Sequence, residues 1–429
     1  MPTKEVFSNK ELKNIRTQFL YVDRDRNGSE RLFLDNAGGA LRLRAAEEAF
    51  HQVDELPDCS EHSNRTARYL DEVEQQGRKD LMECVFHASN GVLFPGYTAS
   101  QLMMEICRIF AANAKGTNVV TTALEHPSAY DGMQYYAEIW GREFRVAGVN
   151  RQSGGVDAET IISLIDRNTA ILSCMHASNI SGYIYDVETI FRRAREINPD
   201  ILIICDAVQH APHGLLYPER LGVDAMTFAP YKYFSVRGFG VAWLSGRAAG
   251  YAHHKLLGKA PEIWELGSPA PAHFAAFSAV TDYVAALGAD NANALEGDNR
   301  PSRSRCFDRG MERIAAQERY LLDLALNGDG IMAGLRQIAG LKVKMDGADL
   351  SRRDFIIGIE FDNISCEQAT AEYEKRGVIV FERSASSIYS KRMLEAFDSK
   401  GVVRVSPLHV HSQEDMGHFL EVTKEIARI

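Results

Sequence analysis

Apolar residues follow two rhythms along the chain. Ala170-Ile-Leu-Ser-Cys-Met175 and Ile201-Leu-Ile-Ile-Cys205 are near-continuous apolar runs, the pattern of parallel strands covered on both faces. Between them Val187, Ile190, Phe191, Ala194 and Ile197 recur at helical spacing until Asn198-Pro199 stops them. This order of elements predicts an α/β fold on a parallel sheet. The second run ends in Asp206, and ligands of open α/β sheets bind beyond the carboxyl ends of strands. A carboxylate there is well placed for chemistry.

The flanking patterns extend the picture. Arg31 to Gly39 reads as a short strand ending in a glycine-containing turn, followed by helices over roughly 42–54 and up to about 86. Val92-Leu-Phe-Pro-Gly-Tyr-Thr-Ala-Ser100 is a strand running into a turn, and Leu102, Ile106, Ile109 and Phe110 then recur as a helix. Another helix is predicted from about 156 to about 166. Ala225-Met-Thr-Phe is a strand that delivers Lys232 into a turn, and Arg237-Gly-Phe-Gly240 leads back into a second strand. An alanine-rich helix over about 272–287 precedes a polar loop, 288–305, taken as the domain boundary. The remainder reads as α+β: a helix from about 306, a strand Asp354 to Phe361, a helix 365–376, and strands Val378 to Glu382 and Val402 to Ser406. The last helix is capped by Ser412 with Asp415 three residues on.

Length and charge narrow the class. A chain of 429 residues supports a large domain and a smaller one. With a formal net charge of −10 and no Lys/Arg block, a nucleic-acid partner is not expected. No apolar run reaches membrane-span length and Met1 to Phe7 lacks a signal-peptide core, so no membrane association and a cytoplasmic location are expected. Seven scattered cysteines fit reduced thiols rather than disulfides or zinc. His210 and His213 near Asp206, and His409 with His411, lack the companions of a metal set, so no metal is expected.

Four features carry chemistry. A lysine buried at Lys232 among apolar and aromatic neighbours would favour its neutral amine, the form that attacks a carbonyl, although a surface lysine at a strand end shows the same sequence. The helix start at Thr98-Ala99-Ser100 offers free N–H groups to an anion, or is an ordinary cap. His126 and Asp206 complete the set.

Together with Leu34-Asp-Asn-Ala-Gly-Gly39, Gly96-Tyr-Thr98, Glu125-His126, Ser178-Asn-Ile-Ser-Gly182, Asp206-Ala-Val-Gln209, Tyr231-Lys232, Glu265-Leu-Gly-Ser-Pro269 and Arg404-Val-Ser-Pro407, they resemble the aminotransferase class V, cysteine desulfurase-like group of fold type I pyridoxal-phosphate enzymes. The resemblance implies a large cofactor-binding domain, 31–290, with a mostly parallel seven-stranded sheet between helices. It also implies a smaller C-terminal α+β domain, 291–429, and an N-terminal arm, 1–30, packing on the latter. It implies that pyridoxal 5'-phosphate is bound by Lys232 as a Schiff base, by Asp206 at the ring nitrogen and by His126 on the ring face. Gln209 and Asn179 would meet the ring hydroxyl, and Thr98 and the Ala99 N–H the phosphate. Tyr231 would hydrogen-bond near the cofactor. Ser268 resembles a residue reaching the neighbouring subunit's phosphate, which implies a homodimer with its site at the interface. An amino-acid substrate would meet Arg404, with Arg383 as the alternative, and Asn36 and Asn179.

Two departures bear on the reaction. Ala229 and Tyr231 stand where the group commonly has a hydroxyl residue and a histidine, so one phosphate contact is missing or comes from elsewhere, Thr227 among the candidates. Arg383-Ser-Ala-Ser-Ser-Ile-Tyr-Ser390 holds no cysteine, whereas persulfide-relaying desulfurases carry one on the loop before the final strand. The expectation is a desulfurase-like lyase acting by C–S or other β-elimination without a persulfide cysteine. The alternatives are an aminotransferase or epimerase, or a cofactor-free binding relative. A nucleotide enzyme lacks its GxGxxG or GxxxxGK element.

Overall fold

The computed structural model describes residues 6–268, 270–289 and 301–429. Part of the predicted boundary loop, Pro269, and the first residues of the predicted arm lie outside the described residues.

A seven-stranded sheet forms the centre. Its spatial order is Val92–Gly96, Gly240–Leu244, Ala225–Phe228, Leu202–Asp206, Thr169–Met175, Asn118–Thr122, Glu143–Ala147. The last five run parallel, and Gly240–Leu244 is antiparallel to both neighbours. Every residue of Thr169–Met175 and Leu202–Asp206 is buried, as their continuous apolar runs require. Helices Ala99–Asn113, Pro127–Ile139 and Val187–Ile197 follow their strands and bury their apolar residues in the core. Phe228, fully buried just ahead of the lysine turn, packs edge-on against Phe86 and Phe277. Truncating it to Ala would cost about 3–5 kcal/mol. The lysine turn is thus built on a rigid base.

A second, antiparallel sheet has the order Phe381–Ser384, Gly401–Val405, Ile357–Phe361, Leu341–Lys344. Its core is shared with helices Arg303–Asn327, Cys366–Lys375 and Gln413–Ile426. Ser412 and Asp415 close the capping box of the last helix. The segment from Val6 packs on two of these helices: Val6 N donates to Gln317 at 3.0 Å, and Arg16 meets Asp415 at 2.6 Å.

Several elements differ from the sequence expectation. The strand expected over Val378 to Glu382 is two: Val378–Ile379 pairs in parallel with Leu32–Phe33, and Phe381–Ser384 joins the second sheet. The inward side chains change phase there, with Val378 and Val380 buried, Phe381 exposed and Arg383 buried. The helix expected to about 166 ends at Ile162. Glu143–Ala147 and Leu341–Lys344 are edge strands whose half-exposed pattern gives no continuous apolar run. No described helix is long and apolar enough to cross a membrane.

Candidate active site

The carboxyl ends of the parallel strands open onto a cavity of about 420 Å³. Three segments bring chemistry to it: Asp206 ends its strand, the turn Pro230–Lys232 follows Ala225–Phe228, and His126 lies beyond Asn118–Thr122. Loop 176–182 adds Asn179, and the helix start adds Thr98, Ala99 and Ser100.

Lys232 is the centre. Its Nζ lies 3.5 Å from Gln209 Oε1. Burial first, then the Arg404 cation, pull its pKa down to about 8, with Asp206 opposing and Arg383 reinforcing. The amine is therefore poised to lose its proton near neutral pH. Burial raises the pKa of Asp206, whose Oδ1 accepts the Val208 N–H at 3.0 Å. His126 caps helix Pro127–Ile139, its Nδ1 held 2.8 Å from Ser128 Oγ. Burial and the nearby Lys232, Arg383 and Arg392 cations lower it to about 4, so its ring is neutral. Asn179 carries a buried, unpartnered Oδ1.

At the helix start Thr98 Oγ1 accepts the Gln101 N–H at 3.0 Å, which leaves the hydroxyl proton free to donate. Strand Gly240–Leu244 crosses closely: a Cβ at Gly240 would stand 2.4 Å from the Thr98 carbonyl carbon and 2.5 Å from Ala99 N. Only glycine permits that approach. The result is an open helix N-terminus at the cavity wall, suited to a phosphate.

The sequence profile described as Aminotransferase class-V matches residues 32–300. The chain belongs to this family. Its members are pyridoxal-phosphate-dependent enzymes acting on amino acids, and the enzyme class of this chain follows. A probable cysteine desulfurase 2 of Mycobacterium leprae is 26% identical over 367 residues, 80% of this chain and 81% of its own. A probable cysteine desulfurase of Streptomyces coelicolor is 27% identical over 318 residues, 66% of this chain and 72% of its own. Among solved structures, the apo cysteine desulfurase of Thermococcus onnurineus matches with a TM-score of 0.80 at 17% identity, over 97% of this chain and 98% of that one. The Escherichia coli cysteine desulfurase CsdA matches with a TM-score of 0.77 at 16% identity, with the same coverages. At those identities the likeness is one of fold.

In this class-V chain, Thr98, Ala99, His126, Asn179, Asp206, Gln209, Tyr231 and Lys232, all singled out from sequence, share the cavity. Others do not line it. Arg404, 2% exposed, donates to Asp35 at 2.6 Å and to the Asn179 carbonyl at 3.2 Å. Arg383 donates to the Tyr389 carbonyl at 2.8 Å, and its buried Nε has no partner. Both cations nevertheless reach Lys232 electrostatically. Asn36 braces its own turn, donating to Ser406 O at 2.9 Å and accepting the Leu41 N–H at 3.0 Å. Its amide is spent on backbone rather than offered to a substrate. Ser268 lines a neighbouring cavity and donates to Glu61 at 2.6 Å. Thr227 is fully buried and outside the cavity lining, and its buried Oγ1 has no partner.

Sequence reasoning assigned no role to Arg237, which lines the cavity, or to Glu125, buried behind it. Glu125 Oε1 accepts from Met175 N at 2.9 Å and Thr122 Oγ1 at 2.8 Å, and burial raises it to about 8. Its signal was an acid directly before His126, at the end of Val119-Val-Thr-Thr-Ala-Leu124. The histidines weighed as metal ligands have protein partners: His210 meets Asp354 at 3.0 Å, His213 meets Glu318 at 2.7 Å, His409 meets Tyr283 at 2.6 Å, and His411 Nε2 meets Phe33 O at 3.0 Å.

Proposed function

We propose that this class-V enzyme binds pyridoxal 5'-phosphate in the 420 Å³ cavity and acts as a desulfurase-like lyase on an amino acid, cleaving C–S or another β-bond. The observation that carries the reading is the half-buried Lys232, lowered to about 8, sharing one cavity with Asp206 and Gln209. The residues fit the group: a carboxylate for a ring nitrogen, the orphaned Asn179 Oδ1, a neutral His126 ring, and an open helix start for a phosphate. Bound there, the cofactor supplies an electron sink for charge developing at the substrate Cα.

The chain's own groups do the rest. Asp206 would hold a proton at the ring nitrogen. Lys232 Nζ would hold the cofactor and, released from it by the incoming substrate amine and neutral, would take the substrate Cα proton. Arg404 lies outside the cavity lining, held by Asp35 and the Asn179 carbonyl, but its buried Nε–H has no partner in the chain, and the cation is assigned to the substrate carboxylate. Loop Arg383 to Ser390 has no cysteine. The Cys366 thiol lies 3.9 Å from the Arg383 carbonyl and burial pushes it up to about 12, which makes it a poor nucleophile. On this reading sulfur or another leaving group departs without a persulfide on that loop or on Cys366. The same reading makes the working unit a cytoplasmic homodimer, with Ser268 turned to the partner's site and each chain divided into bodies 31–290 and 291–429.

The test is a panel of amino acids, with and without a keto acid, scored for sulfide, ammonia, keto acid and new amino acid. Elimination products without a keto-acid requirement are expected. Turnover strictly dependent on a keto acid would make the chain an aminotransferase.

A further inference from the structure

Arg237 lines the same cavity as Lys232 and Thr98. Its guanidinium carbon sits 4.6 Å from the centroid of the Tyr231 ring, a cation–π seat. Gly39 makes the room: a Cβ there would stand 2.6 Å from Arg237 Nη2 and 3.6 Å from the Tyr231 ring. Tyr231 is itself anchored, because its carbonyl accepts from Arg42 Nη1 at 2.7 Å. A chain of contacts thus presents Arg237 at the cavity, from Arg42 through Tyr231, with Gly39 leaving the space open.

Two neighbouring cations are already matched. Arg42 also donates to the Ala40 carbonyl at 3.0 Å and faces Glu47 at 3.8 Å. Arg404 is met by Asp35 at 2.6 Å. Among the described residues no carboxylate pairs with Arg237. At the same time Ala229, in the cavity wall, offers no hydroxyl, and Thr227 is fully buried outside the lining. An exposed guanidinium fork seated on Tyr231 at the wall of the cavity, without an acid of its own, is a receptor for an oxyanion.

We propose that Arg237 is an anion-binding residue of this cavity, seated on Tyr231 to receive an oxyanion carried by the occupant: the phosphate ester of the cofactor or an acidic group on the substrate side chain. The inference rests on the cofactor reading given above. It assigns Tyr231, which stands where the group commonly has a histidine, the task of carrying the cation that compensates.

Full-length wild type, Arg237→Met and Arg237→Lys are titrated after removal of any bound cofactor, with pyridoxal phosphate and with pyridoxal, which lacks the phosphate, by change in the visible spectrum. The reloaded proteins are then titrated with aspartate and with alanine. If the phosphate is the oxyanion, Arg237→Met weakens pyridoxal phosphate about tenfold or more, leaves pyridoxal unchanged, and Arg237→Lys restores part of the loss. If it is a substrate acid, cofactor affinity is unchanged and aspartate weakens by a similar factor while alanine does not. Equal affinities in wild type and Arg237→Met for all four ligands overturn the proposal, as does an equal loss for all four, which marks a merely structural role. A wild-type protein that gives no spectral change with pyridoxal phosphate fails at the cofactor reading itself, a result distinct from any effect of Arg237.

Discussion

Arg404 donates to Asp35 Oδ1 at 2.6 Å, joining the second sheet to the turn that leads toward the cavity. Arg404 is 2% exposed and its side chain has little water to fall back on. Asp35→Asn removes the compensating charge of a pair buried only on the Arg404 side and should cost about 1–3 kcal/mol, less than a pair buried on both sides. Calorimetry of the loaded protein should show a lower melting temperature, and a saturating amino acid should raise it more in the variant than in wild type, because its carboxylate replaces the lost partner. A variant that melts with wild type and gains nothing from the amino acid would remove Arg404 from the substrate site.

Lys232 gives a pH prediction. Its folded pKa of about 8 lies below the ordinary lysine value of about 10.4, so raising pH through 8 empties the ammonium and increases the reactive amine. Cofactor capture by the stripped chain should therefore accelerate as pH rises through about 8 and level off well before 10. Because the unfolded lysine keeps its proton to higher pH, this group also makes the stripped chain more stable as pH rises across that window. Arg404→Gln removes the largest cationic cause and should move the capture profile upward; stopped-flow rates against pH read both.

His126, held near 4 by burial and three cations, stays neutral from about pH 5 upward. Activity should show no transition near 6.5 that belongs to it. His126→Phe, which keeps a flat ring, should retain more activity than His126→Ala, and a pH step near 6.5 that disappears in His126→Phe would contradict the assignment.

Asp206→Asn keeps the shape of the strand end but cannot hold a ring proton as a carboxylate does. Its kcat should fall by about two orders of magnitude or more, the scale on which single preorganised electrostatic groups act, while cofactor still binds. Steady-state kinetics on the variant with full cofactor loading separates the two effects.

The sequence revealed the core of this site because its chemistry sits where burial writes a clear pattern. Leu202–Asp206 is buried on both faces and ends in a carboxylate, and the turn after Ala225–Phe228 must present whatever residue it contains. Contacts between distant segments were not legible. Nothing in Leu34 to Gly39 shows that Asn36 spends its amide on Ser406 and Leu41, or that Gly39 leaves space for Arg237. Edge strands such as Glu143–Ala147 escaped for a related reason: one half-exposed face dilutes the apolar signal that marked the central strands.

The central claim is that Lys232 carries the cofactor. The full-length protein is incubated with pyridoxal phosphate, reduced with borohydride, digested and examined by mass spectrometry. The account predicts a visible band lost on reduction and a phosphopyridoxyl adduct on the peptide containing Lys232, absent in Lys232→Ala. An unmodified Lys232 peptide, or an adduct confined to another lysine, would contradict it.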